Sequence, residues 1–111
     1  MDTTINRTRI GGLQIAIMLL ALATAAIHLW LGVPNNLLMF ILNGIGYLVL
    51  VTALYLPQLR QYQSLIRWVL IIYTAITVIA WIAIGERSTI AYVDKLIEVA
   101  LIVLLFIDGR R

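Results

Sequence analysis

Four strongly polar side chains stand within otherwise apolar sequence: His28, Asn43, Asp94 and Glu98. In hydrocarbon such groups are costly, so they face a bundle interior and pair with one another. Asp94 and Glu98 are four residues apart, which puts both carboxylates on one face of a helix. Two ionised carboxylates this close repel in a low dielectric, so either one holds a proton or a cation sits between them. Lys95, three residues before Glu98, is one candidate cation; the His28 imidazole and a bound metal are others. The pattern suits a proton-relay or cation site.

A plainer reading fits the same residues. Asp94 and Lys95 can lie at a membrane interface, with Glu98 less than one turn deep and Lys95 snorkelling to water. His28 and Asn43 then act as hydrogen-bonding glue between helices, worth about 1 kcal/mol or less per bond. Structural glue is the commoner use of such residues. His28 is the sole histidine, so a bis-histidine haem cannot form within one chain. Single axial ligation of haem or chlorophyll through His28 stays open as a further alternative.

Other chemistry is easier to set aside. The absence of cysteine removes disulfides, thiol redox reactions and thiolate metal sites. No phosphate-cradling glycine loop, His-Glu-x-x-His helix or nucleophile–base pattern is present, and the expectation is that the chain is not an enzyme. The net charge of +3 comes from short basic clusters between apolar runs. With no stripe of base-stacking aromatics beside them, they read as topology signals and contacts to anionic headgroups rather than a nucleic-acid surface.

The elements that must position these groups follow from hydropathy. A chain of 111 residues that is 63% hydrophobic cannot hide its apolar surface in a soluble core of that size. From Ile10 to Leu59 there is no Asp, Glu, Lys or Arg. About 20 apolar residues cross the hydrocarbon, so this run suffices for two crossings. Gly32-Val33-Pro34-Asn35-Asn36 breaks it, with proline stopping a helix and the asparagines suited to a turn and the next N-cap. Polar residues 57–64 and then Gly85-Glu86-Arg87-Ser88-Thr89 separate two more runs. The expectation is one domain, 1–111, an all-α four-helix transmembrane bundle of two antiparallel hairpins, with helices near 13–31, 36–56, 65–84 and 90–107.

Arg7, Arg9, Arg60, Arg67, Arg110 and Arg111 fall on one side of that arrangement. Arg87 and Lys95 fall on the other, offset by Glu86 and Asp94. The bias predicts both termini on the cytoplasmic side, and places His28, Asn43, Asp94 and Glu98 together in the outer half of the membrane. Basic residues followed by an apolar run and Ala21–Ala26 also resemble a signal peptide. Cleavage there would leave half a helix at the new terminus, so retention is expected. Ala21 and Ala25 form a small-xxx-small face on helix 1, and Gly44 and Gly46 on helix 2 have the same meaning, close helix approach. Trp30, Tyr55, Tyr62, Trp68, Trp81 and Tyr92 fall near expected membrane boundaries. His28-Leu-Trp-Leu-Gly32 and Ala80-Trp-Ile-Ala-Ile-Gly85 hint at a repeated hairpin.

Several motifs together carry a family resemblance. Ala26-Ile27-His28-Leu29-Trp30-Leu31-Gly32, Leu42-Asn43-Gly44-Ile45-Gly46-Tyr47-Leu48, Tyr73-Thr74 with Trp81, and Asp94-Lys95-Leu96-Ile97-Glu98-Val99 span nearly the whole chain. In these it resembles a prokaryotic family of small four-helix integral membrane proteins for which no activity is established. The resemblance implies the same four-helix fold and nothing about chemistry. The size also resembles the small multidrug-resistance transporters, whose essential carboxylate lies in the first helix; helix 1 here has no Asp or Glu. The expected function is a non-enzymatic accessory or assembly subunit, or a self-associating bundle, in the cell membrane. Its expected partners are the lipid bilayer and further copies or a larger membrane complex. A proton- or cation-coupled transporter or sensor is the alternative, and a haem- or pigment-binding subunit the second.

Overall fold

A computed structural model describes residues 11–85 and 87–110. Arg7, Arg9, Glu86 and Arg111, used above for orientation, lie outside them. The described residues form four long helices and no strand: α1 (Gly12–Gly32), α2 (Leu38–Tyr55), α3 (Gln63–Ile84) and α4 (Thr89–Gly109), with a short 3-10 helix, Pro57–Tyr62, between α2 and α3.

Local chemistry sets the boundaries. Beyond α1, Asn36 adopts a left-handed φ of 55°. Leu37 N–H donates to the Gly32 carbonyl at 2.9 Å and Asn36 N–H to that of Val33 at 3.4 Å. These are the two bonds of a Schellman turn, and asparagine tolerates its left-handed position. Asn35 Nδ2 adds a bond to the Leu31 carbonyl at 2.8 Å. Both asparagines therefore lie in the turn that finishes the first helix, whereas the sequence reading also gave them the N-cap of the second. The residue preceding α2 is Leu37, and the helix begins two residues later than expected. Pro57 opens the 3-10 helix, where its missing N–H is no loss. Ser88 caps α4 by accepting from Ala91 N–H at 3.3 Å.

α1 packs on α2 and α4, and α3 packs on the same two helices. The bundle is thus a four-membered ring in which α2 and α4 lie diagonally opposite. At the α1–α2 seam, a Cβ added to Gly44 would sit 3.0 Å from the Ala25 carbonyl oxygen and 2.9 Å from Leu29 Cγ. One at Gly46 would overlap the Tyr73 hydroxyl of α3. The two glycines let α1 and Tyr73 close on different sides of α2, and Ala21 and Ala25 are both buried. Ile17, Tyr47, Val51, Leu54, Leu70, Leu101 and Leu105 complete the core among the described residues.

The outer surface is apolar along every helix, including Leu19, Met39, Ile76, Ile84 and Leu96. A soluble monomer rarely exposes so much contiguous apolar surface. Three segments are long and apolar enough to cross a membrane: α1, α2, and α3 with its leading 3-10 helix. α4 carries too much charge to meet the same measure, yet its pattern is inverted relative to a soluble helix. It buries Asp94 and Glu98 and exposes Leu96, Val99 and Val103. That is the polarity expected where the surroundings are lipid and the interior holds the charge.

Candidate functional site

Three helices build one buried polar cluster. α1 contributes Thr24 and His28, four residues apart on the same face. α2 contributes Tyr47 from across the diagonal, and α4 contributes Asp94, Lys95 and Glu98. Glu98 and Thr24 are fully buried, while His28 and Asp94 are 6% and 4% exposed. At 1.5 Å per residue, Glu98 lies about 14 Å along α4 from Thr89, near the helix midpoint.

The two carboxylates are held from several sides. Thr24 Oγ1 donates to Asp94 Oδ1 at 2.6 Å and lies 3.1 Å from Glu98 Oε2, so one hydroxyl hydrogen is divided between the two acids. Tyr47 donates its hydroxyl to Glu98 Oε2 at 2.8 Å. Lys95 Nζ is 2.6 Å from Glu98 Oε1 and 3.1 Å from Asp94 Oδ2, bridging the pair. Charge-assisted bonds of this kind are the stronger class.

His28 is fixed by its other nitrogen. Its Nδ1 lies 2.8 Å from the Thr24 backbone carbonyl oxygen. A carbonyl only accepts, so Nδ1 carries the hydrogen and donates. In the neutral ring Nε2 then has a free lone pair, which faces Asp94 Oδ2 at 3.7 Å and Glu98 Oε2 at 3.9 Å. Those separations exceed a hydrogen bond. Phe40 and Tyr47 flank the imidazole, with ring centroids 5.6 and 5.9 Å away. With both acids ionised and Lys95 charged, the cluster carries one negative charge in excess. A proton on Nε2 balances it, and so would a small cation. His28, Asp94 and Glu98 each present one ligand atom, all within 4.8 Å of one another, so this trio could hold a metal.

Of the residues singled out in the sequence, His28, Asp94, Lys95 and Glu98 meet here. Asn43 sits elsewhere: its Nδ2 donates to Thr77 Oγ1 at 3.0 Å, and its carbonyl accepts from the Tyr73 hydroxyl at 2.7 Å. It belongs to the α2–α3 seam, beside Tyr73, which packs edge-on against Tyr47 at 4.9 Å. Thr24 and Tyr47 were not singled out as site residues. Tyr47 follows Asn43 by four residues and Thr24 precedes His28 by four, so shared helical faces were the available signal.

A second polar set lies at the opposite end of α4. Gln14 Nε2 donates to Asp108 Oδ1 at 2.6 Å, and Arg67 Nη2 lies 3.3 Å from Asp108 Oδ2. It ties α1, α3 and α4 together, and gives Arg67, read from sequence as a topology signal, a partner within the bundle.

Compared with family models, curated proteins and solved structures, the chain finds no match in any of the three. The chemistry of the cluster therefore has to stand on its own geometry.

Proposed function

We propose that this chain is a small multi-pass protein of the cell membrane that binds and releases protons or cations at the His28–Asp94–Glu98 cluster, as a coupled transporter or a sensor. In this reading all four helices cross the bilayer with both termini cytoplasmic. The inward charge and outward apolar face of α4 support its crossing, and the arginine bias supports the orientation. The observation that carries the proposal is His28 Nε2 placed 3.7 and 3.9 Å from two buried carboxylates, beyond hydrogen-bond reach. Intramembrane groups arranged this way recur along proton and ion routes.

A second reading keeps the cluster purely structural, within an accessory or self-associating bundle. Lys95 favours it, because its ammonium already bridges both acids. The haem or pigment alternative gains less support, since Nε2 faces the carboxylates and not an apolar cleft.

Purified protein in lipid vesicles with an imposed pH gradient separates the first two. Proton flux, or a pH-dependent change in tryptophan fluorescence, is expected from the wild type. Glu98→Gln is expected to reduce it at least tenfold while the thermal midpoint in detergent stays within a few degrees. Flux equal to that of empty vesicles, together with a fluorescence spectrum indifferent to pH, sinks the coupled reading and leaves the structural one.

A further inference from the structure

We propose that the cluster is a site for a borderline divalent transition metal, such as Zn2+ or Co2+, and that Lys95 is a tethered cation standing in for it. This rests on the functional reading above and narrows it to a class of ion.

The ligand set argues for the class. One imidazole nitrogen and two carboxylate oxygens, without thiolate, suit Zn2+, Co2+, Mn2+ or Fe2+. The nitrogen disfavours Mg2+ and Ca2+, which prefer oxygen shells. Three protein ligands also leave a position open for water or an exchanging ligand. The outer contacts are those that orient metal ligands: His28 Nδ1–H donates to the Thr24 carbonyl, and the Thr24 and Tyr47 hydroxyls hold the acids. Ligand bonds of about 2.1 Å need donor atoms roughly 3.0–3.4 Å apart. The 3.7 and 3.9 Å from Nε2 to the two acids therefore close by half an ångström or so on binding. His28, 94% buried, makes no hydrogen bond through Nε2 among the described residues.

Lys95 already occupies the two acids with a positive charge. Its Nζ bridges both acids through Asp94 Oδ2 and Glu98 Oε1 and offsets one of their two charges, leaving Glu98 Oε2 toward His28. A dication between the three ligands would repel the ammonium. The lysine stem, about one and a half turns into α4, is long enough to carry its head toward the α3–α4 loop. Metal and lysine thus compete for the same pair of acids.

The test is binding of Co2+ and Zn2+ salts to the detergent-purified full chain, with Mg2+ as control. Co2+ is read by its visible absorption and Zn2+ by the rise in thermal midpoint. The wild type is expected to take up one equivalent saturably, and Mg2+ not to displace it. His28→Gln, which keeps the lysine–carboxylate pairs, is expected to weaken binding at least tenfold. Lys95→Met is expected to strengthen it several-fold by removing the competitor. No saturable uptake by the wild type, or equal uptake by His28→Gln, overturns the metal site. Uptake unchanged in Lys95→Met overturns the stand-in. Proton flux measured in vesicles treated with chelator tests the broader functional reading separately, so failure of one is not failure of both.

Discussion

Lys95→Met is expected to lower the unfolding free energy of the metal-free bundle by about 3–5 kcal/mol, the usual consequence of removing one partner from a buried ion pair. The reason is charge, not volume. Methionine fills the stem of lysine closely, but Asp94 and Glu98 would keep their burial and lose the ammonium 3.1 and 2.6 Å away. Adding Glu98→Gln should recover much of the loss, because only one acid then remains to be balanced and His28 faces it. The coupling in that double-mutant cycle should be at least about 1 kcal/mol. Denaturation in mixed micelles gives all four corners of the cycle. Additive effects would mean that the lysine reaches water and leaves the acids to themselves.

Thr24→Val is the second large effect. Valine matches threonine in shape, so the α1–α4 packing is retained and only the hydroxyl is removed. That hydroxyl donates to Asp94 at 2.6 Å and lies 3.1 Å from Glu98. Hydrogen bonds to charged groups contribute about 1.5–3 kcal/mol each, so a loss of about 2–3 kcal/mol is expected in the same denaturation assay. Thr24→Ser should restore most of it, apart from the missing methyl. A valine variant within about 0.5 kcal/mol of wild type would show that the hydroxyl does not hold the acids.

The helices were legible because long apolar runs and polar breaks have few other solutions in lipid. The turn after α1 was read less well: Asn35 and Asn36 suit either end of a helix, and the Schellman bonds that decide between them depend on backbone angles that composition does not specify. The meeting of His28 with Asp94 and Glu98 was readable from helix depth alone. Depth does not give rotation about the axis, however, which is why Asn43 stood at the right height and yet turned toward Thr77. Thr24 and Tyr47 escaped notice for a different reason. Neutral hydroxyls are ordinary in membrane helices, and they acquire a role only when a charge lies opposite. Arg67 was read only as a topology signal, since a charge near a helix end has a water-facing explanation until its partner, here Asp108, is known.

The single histidine permits the most direct test of the central claim, that Nε2 of His28 faces Asp94 and Glu98 in one buried site. Nitrogen NMR of the labelled imidazole in micelles resolves its two ring nitrogens. The geometry predicts a hydrogen on Nδ1, bonded to the Thr24 carbonyl, and an Nε2 resonance that moves on Glu98→Gln while Nδ1 stays nearly fixed. A neutral imidazole with its only hydrogen on Nε2, or one whose two resonances ignore Glu98→Gln, would contradict that arrangement.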